Sequence, residues 1–152
     1  MDIDFRTVDA GVPPASELLA AMEVEMVELY SDVGMARMPP AGPEDFAPPG
    51  GAYVVGFVDG APICGGGLKR LPDAAVEIKR MYVVPAARRR GVARALLGAL
   101  ESTARGLGYS IVRLDTGARQ PHAKALYAAS GFVEVGNYNG NPYAAYWGEK
   151  RL

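Results

Sequence analysis

The chain is poor in the groups that build disulfides, metal centres and broad charge footprints: of its 152 residues, one is cysteine and one is histidine. The lone Cys64 excludes an intramolecular disulfide and any cysteine-rich metal site, and it fits a reducing, cytoplasmic setting. The lone His122 has no Asp or Ser at triad-like spacing and no second metal ligand nearby, so it reads as a solvated helix residue and no metal is expected. No run of about 18 apolar residues occurs, and the acidic start MDIDFRTVDAG lacks the basic-then-apolar order of a signal peptide. Neither a membrane span nor a leader is expected. Lys and Arg number 16 against 17 Asp and Glu, a net charge of -1. The surface as a whole is therefore no footprint for nucleic acid, and any anion site must be local.

What is there is a regular alternation of elements, and the length suits one domain over residues 1–152. IDFRTVD alternates as a short strand, and Pro13-Pro14 stop it. From Ser16, an expected N-cap, Leu18, Leu19, Met22, Met26, Leu29 and Tyr30 recur at helical spacing. Residues 34–51 are too rich in proline for a long helix or a central strand. Met35, Met38 and Phe46 within them favour a packed loop, where they either anchor it to the core or border a site. AYVVGFVD and APICGGGLKRL flank Asp59-Gly60, a hairpin-turn signal. Gly65-Gly66-Gly67 precede no helix and carry no Gly-Lys-Ser/Thr, so they mark a bulged strand and not a phosphate loop.

VEIKRMYVV is a third long strand, and a helix follows with Val92, Leu96, Leu100, Thr103 and Leu107 on one stripe and Arg90, Arg94, Glu101 and Arg105 opposite. After Gly106 and Gly108 comes the strand YSIVRLDTG. Strand, helix, strand at this length is a crossover, so these two strands should run parallel. Gln120–Ser130 reads as a short helix, and Phe132–Val135 with Pro142–Lys150 supply a closing strand pair. The order predicts an α+β fold in three layers: a mixed central sheet of about six to seven strands with helices on its faces.

The stretch RRRGVARALL, residues 88–97, puts Arg88, Arg89, Arg90 and Arg94 at the start of the crossover helix. A helix start already presents unpaired N–H groups and a partial positive charge, and it prefers acids. Arginines crowded there point to a permanent negative ligand, with a phosphate group the natural one. Gly91 lets the backbone come close to a bulky anion, and Ala93 adds almost no side chain.

Arg88-x-x-Gly91-x-Ala93 after Val83-Val84-Pro85 resembles the Gln/Arg-x-x-Gly-x-Gly/Ala signature of the GNAT superfamily of acyl-CoA-dependent N-acetyltransferases. Gln120, Ala123 and Tyr127, followed by Gly131-Phe132, resemble that family's Asn-x-x-Ala-x-x-x-Tyr helix and its Gly-Phe. Glu77–Val83 resembles its central strand. The detailed likeness spans about residues 75–136, and the rest agrees in element order. Arg89 stands where Gly is frequent, and Gln120 where Asn is frequent.

The resemblance implies that the negative ligand is the pyrophosphate of acetyl-CoA, a co-substrate held by amides of Arg88, Arg89, Arg90, Gly91, Val92, Ala93 and Arg94. It implies that the backbones of Met81 and Val83 hold the pantetheine arm and that Gln120 and Lys124 face pantetheine and phosphate. Acyl transfer to an amine needs a neutral amine, a stabilised oxyanion and a proton for the departing thiolate. The resemblance marks Tyr127 as general acid, a residue that also fits the buried stripe of its helix. It marks Glu77 as general base, although Glu77 could equally pair with Lys79. Glu77 should share a strand face with Lys79, Met81 and Val83, opposite Ile78 and Tyr82. An amide near Met81 or Tyr82 would hold the oxyanion, provided the strand bulges or splays there.

The implied reaction is direct transfer from acetyl-CoA to a primary amine within a ternary complex. A non-catalytic acyl-CoA sensor would keep the cradle without the chemistry. Nucleic-acid binding through RRRGVAR fits poorly with the neutral chain. The resemblance puts the acceptor, a small-molecule or peptide amine, between the Met22–Phe46 region and Tyr138, Tyr143, Tyr146 and Trp147. Those aromatics would equally serve as core or as the face of a homodimer.

Overall fold

In the computed structural model, which describes residues 1–152, the expected elements form in the expected order. They are β1 (Asp4–Val8), α1 (Ala15–Leu29), β2 (Ala52–Val58), β3 (Ala61–Arg70), β4 (Val76–Val83), α2 (Val92–Gly106), β5 (Ile111–Gly117), α3 (Pro121–Ala129), β6 (Val133–Glu134) and β7 (Ala144–Arg151). The seven strands make one sheet in the order β1-β2-β3-β4-β5-β7-β6. All neighbours are antiparallel except β4 and β5, the pair joined by the α2 crossover. The β2–β3 hairpin turns at Asp59 and Gly60, with φ of 50° and 79°, the left-handed pair that a two-residue turn of this hand requires.

Alternation along the strands sorts the apolar residues into two cores. On one face Val54, Cys64, Leu68, Ile78 and Val112 pack under α2 through Val92, Leu96, Leu97 and Leu100, and Tyr127 and Phe132 join them. On the other face Tyr53, Val55 and Tyr82 pack against Leu18, Met22 and Met26 of α1. The proline-rich segment is packed: Met35 and Phe46 are buried in this second core, and Pro43–Phe46 form a short 3-10 turn.

Two local expectations change. Helix α1 begins at Ala15 after Pro14, with no side-chain cap, and Ser16 lies inside its first turn because its amide already donates to the Val12 carbonyl at 3.0 Å. Glu101 is buried, not on a solvated stripe, because β7 brings Lys150 to it at 2.6 Å, while Leu107 is exposed.

The third change concerns the site. The bulge lies opposite the glycines, in β4: Gly65 pairs with Tyr82 and Gly67 with Lys79, so Arg80 and Met81 together face Gly66. Arg80 takes φ 60° there. An extra residue flips every later side chain to the other face. Glu77 and Lys79 therefore share their face with Tyr82, in the α1 core, whereas Met81 and Val83 turn to the α2 face with Ile78. The expected grouping of Glu77 with Met81 and Val83 is corrected by that one residue. Bulky side chains opposite would block the arrangement: a Cβ on Gly65 would lie 2.6 Å from the Tyr53 hydroxyl, and one on Gly67 2.4 Å from the Phe46 ring.

Candidate active site

β4 and β5 pair only at Val76–Val112 and Glu77–Arg113. Beyond Glu77 they part, since β4 bulges and β5 follows its antiparallel neighbour β7 as far as Gly117. The carboxyl ends of two separating parallel strands leave a cleft, the usual ligand site of such sheets. Two cavities occupy it. One, of about 590 Å³, runs over Met81–Val83, the start of α2 and one side of α3. The other, of about 100 Å³, lies between α1, the Met35–Pro39 segment, the bulge and Asp115–Gly117. Met22, Met26, Met81, Gln120 and Tyr127 line both.

The larger cavity ends at the arginine-rich turn. Arg89 and Gly91 both adopt left-handed conformations, φ 64° and 76°, and lead into α2. The first backbone bond of the helix is Ala95 N–H to the Gly91 carbonyl, and no amide from Arg89 to Arg94 donates within the protein. Consecutive free amides at a helix start, open to a cavity, fit a pyrophosphate. No side chain obstructs the approach at Gly91.

The arginines divide their tasks. Arg88 is taken: its Nη2 donates to both carboxylate oxygens of Glu25 at 2.7 and 3.0 Å, its Nε donates to the Val83 carbonyl at 2.9 Å, and its guanidinium lies 5.5 Å from the Tyr82 ring centre. It ties α1 to the turn and occupies one of the backbone groups expected to meet pantetheine. Arg89 and Arg94 line the cavity, and Arg90 does not. Lys124 also stays off the wall, exposed with its ammonium 5.8 Å from the Tyr146 ring centre, and His122 takes the place expected for it on the cavity side of α3.

At the junction Tyr127 is buried, its hydroxyl 3.7 Å from the Met81 sulfur. Burial, with the charge of Asp115 next in weight, pushes its phenol well above the usual range, so it stays protonated. Gln120 accepts from the Gly117 amide at 3.1 Å and the Tyr30 hydroxyl at 3.3 Å, which fixes the β5–α3 turn and leaves its amide nitrogen for the cleft. Cys64 is fully buried, and burial pushes its thiol up to about 11, so it offers no nucleophile.

Glu77 is buried on the α1 face. It accepts from the Tyr138 hydroxyl at 2.6 Å and Asn139 Nδ2 at 2.9 Å, and its other oxygen lies 3.3 Å from Lys79 Nζ. It lines neither cavity. The carboxylate on the wall is Asp115, held by Asn139 and by Asn141 at 3.3 Å. Sequence reasoning passed over Asp115, although its place near the carboxyl end of the strand after the crossover is where a cleft residue belongs. Of the aromatics expected around the acceptor, Tyr143 lines the smaller cavity beside Tyr30. Tyr138 holds Glu77, Trp147 donates to Asn139, and Tyr146 is buried in the α2 core.

Residues 17–132 match the model of the acetyltransferase (GNAT) family. Among curated relatives, an IAA acetyltransferase of Azospirillum brasilense is 42% identical over 67 residues, 44% of this chain and 42% of that protein. An uncharacterized N-acetyltransferase, YjgM, of Escherichia coli is 33% identical over 93 residues, 59% of this chain and 56% of that one. The matches thus cover only about half the length of these relatives. A GNAT acetyltransferase structure from Staphylococcus aureus superposes with a TM-score of 0.77 over 99% of both chains at 15% identity. One from Elizabethkingia anophelis with acetyl-CoA bound gives 0.69 over 99% of this chain and 98% of that one, at 18% identity. At such identities these structures establish the fold.

Proposed function

The chain belongs to the acetyltransferase (GNAT) family, and from that membership we propose that it transfers an acetyl group from acetyl-CoA directly to a primary amine within a ternary complex. The observation that carries this reading is the junction: a cavity ending in unpartnered helix-start amides meets a second cavity with a carboxylate on its wall, and Tyr127 lines both. Acetyl-CoA supplies the activated acetyl group and leaves as the thiol.

The amides from Arg89 to Arg94 bind the pyrophosphate, with Arg89 and Arg94 adding positive field. The main chain at Met81, the Val83 amide and the side-chain amide of Gln120 orient the pantetheine arm, Arg88 having taken the Val83 carbonyl, and an amide at the bulge holds the acetyl oxygen. Tyr127 donates its proton toward the departing sulfur; its raised pKa makes it a hydrogen-bond donor throughout the working range. Asp115 takes the proton of the incoming ammonium, directly or through water. Glu77, one residue behind it through Asn139, orients Asn139 and Tyr138 and neutralises Lys79.

Thiol release from acetyl-CoA across an amine panel, with mass detection of the acetylated product, tests the reading. Turnover on at least one amine is expected. Tight coenzyme binding with no turnover on any amine would instead make the chain an acyl-CoA sensor.

A further inference from the structure

Almost every partly buried cation in this protein has a carboxylate partner. Arg113 has Asp73 and Glu149, Lys150 has Glu101, Lys79 has Glu77 and Lys69 has Asp45. Even the more exposed Arg88 and Arg119 are paired, with Glu25 and Asp32. Arg80 is the exception. It is half-buried on the wall of the smaller cavity, and no carboxylate lies within ion-pairing distance. Its guanidinium donates to the Met38 sulfur at 2.9 Å and to the Pro39 carbonyl. A thioether and one carbonyl are weak compensation for a five-donor cation taken partly out of water. The negative charges that act on it are Glu23, exposed on α1, and Asp115, on the wall of the same cavity. Its backbone is strained as well, at the left-handed bulge position.

A half-buried guanidinium facing a cavity is a receptor for a carboxylate. The same small cavity carries Asp115, which suits an ammonium, and an apolar wall of Met22, Met26, Met35 and Tyr143. We propose that the acceptor is a free amino acid with an apolar side chain, its carboxylate bound by Arg80, its amine held between Asp115 and Tyr127, and its side chain against the methionines. The proposal rests on the acetyltransferase reading and deepens it.

Matched acceptors test it: L-leucine and L-methionine, their primary amides, and the corresponding decarboxylated amines, each assayed for kcat/KM with saturating acetyl-CoA. The free acids should exceed amides and amines by at least tenfold. Arg80→Met should lower kcat/KM on the free acids at least tenfold more than on the amides and amines, and Arg80→Lys should restore part of that difference. Equal rates on acid, amide and amine in the wild-type enzyme would overturn the proposal and leave the acetyltransferase reading intact. If Arg80→Met lowers all three equally and the melting temperature with them, Arg80 is a strut for the Met38–Pro39 segment and the proposal fails. Calorimetry of the same compounds with the coenzyme A complex reads the carboxylate preference independently of turnover. Absence of turnover on every amine combined with carboxylate-selective binding would overturn the catalytic reading while keeping the recognition site.

Discussion

At the scale of single residues, the proposed reaction turns on two protons. In that proposal Tyr127 must be protonated to serve the leaving thiolate, and burial, followed by the charge of Asp115, raises its pKa. Raising the pKa of a required acid extends its active form to higher pH, so kcat should not fall as pH rises to about 10, where an ordinary phenol is half ionised. Tyr127→Phe should lower kcat about 100-fold while leaving the dissociation constant of acetyl-CoA within a factor of about 3. An unchanged kcat at saturating cofactor would remove the acid assignment. The amine's proton separates two carboxylates. Asp115→Asn should cost about 100-fold in kcat/KM near neutral pH. Glu77→Gln should act mainly on stability, by about 2 kcal/mol, because it leaves Lys79 without its charge partner in a partly buried place. Denaturant melts and steady-state rates on both variants decide between them: a larger kinetic loss in Glu77→Gln would return the base to Glu77.

At the scale of elements, the geometry of the α2 start was the most legible part of the molecule, and the proposed coenzyme site rests on it. Gly91→Glu places a β-carbon at φ 76°, a strain of about 1–2 kcal/mol for any L-residue, and sets a carboxylate against the anion cradle. The acetyl-CoA dissociation constant measured by calorimetry should rise at least tenfold, or about 1.4 kcal/mol; unchanged affinity would move the cradle elsewhere. The turn could be read in advance because helix-start chemistry is local: Gly91, the arginines and the apolar stripe of α2 lie within one short stretch. The crossover, the hairpin at Asp59-Gly60 and the packed proline segment were legible for the same reason. The bulge was legible only in part. The glycines at 65–67 announced an irregularity, but its extra residue, Arg80, lies on the facing strand, and its one-residue phase shift moved Met81 and Val83 to the other face. Asp115, the acidic partners of Arg88 and Arg113, and the burial of Glu101 depend on contacts between residues far apart in sequence, which periodicity does not carry.

At the scale of the whole molecule, the sheet has a seam. β1–β4 and β5–β7 are each continuous antiparallel ladders, yet they meet through only the Val76–Val112 and Glu77–Arg113 pairs. The side of the cleft beyond those pairs is bridged by side chains: Tyr127 to Met81, Arg119 to Leu29 and Asp32, Tyr30 to Gln120, and Asn139 between Glu77 and Asp115. A coenzyme lying along the cleft would touch β4, the start of α2 and α3 at once, and would add contacts across the weakest line of the sheet. Anything that binds only the folded state stabilises it by mass action, about 2.7 kcal/mol at 100 times its dissociation constant. For a chain of this size that corresponds to a melting temperature raised by roughly 5–10 °C. The seam adds a spatial signature to that general effect. Coenzyme A should slow hydrogen exchange most at Met81–Val83, at the start of α2 and along Gln120–Tyr127, the parts of the larger cavity on the two sides of the seam, with little change in β1–β2 far from the cleft. In Gly91→Glu both the thermal shift and the local protection should shrink together. A thermal shift with protection spread evenly through the sheet would mean that the coenzyme does not bridge the seam, and the cleft between the strand ends would lose its place as the binding site.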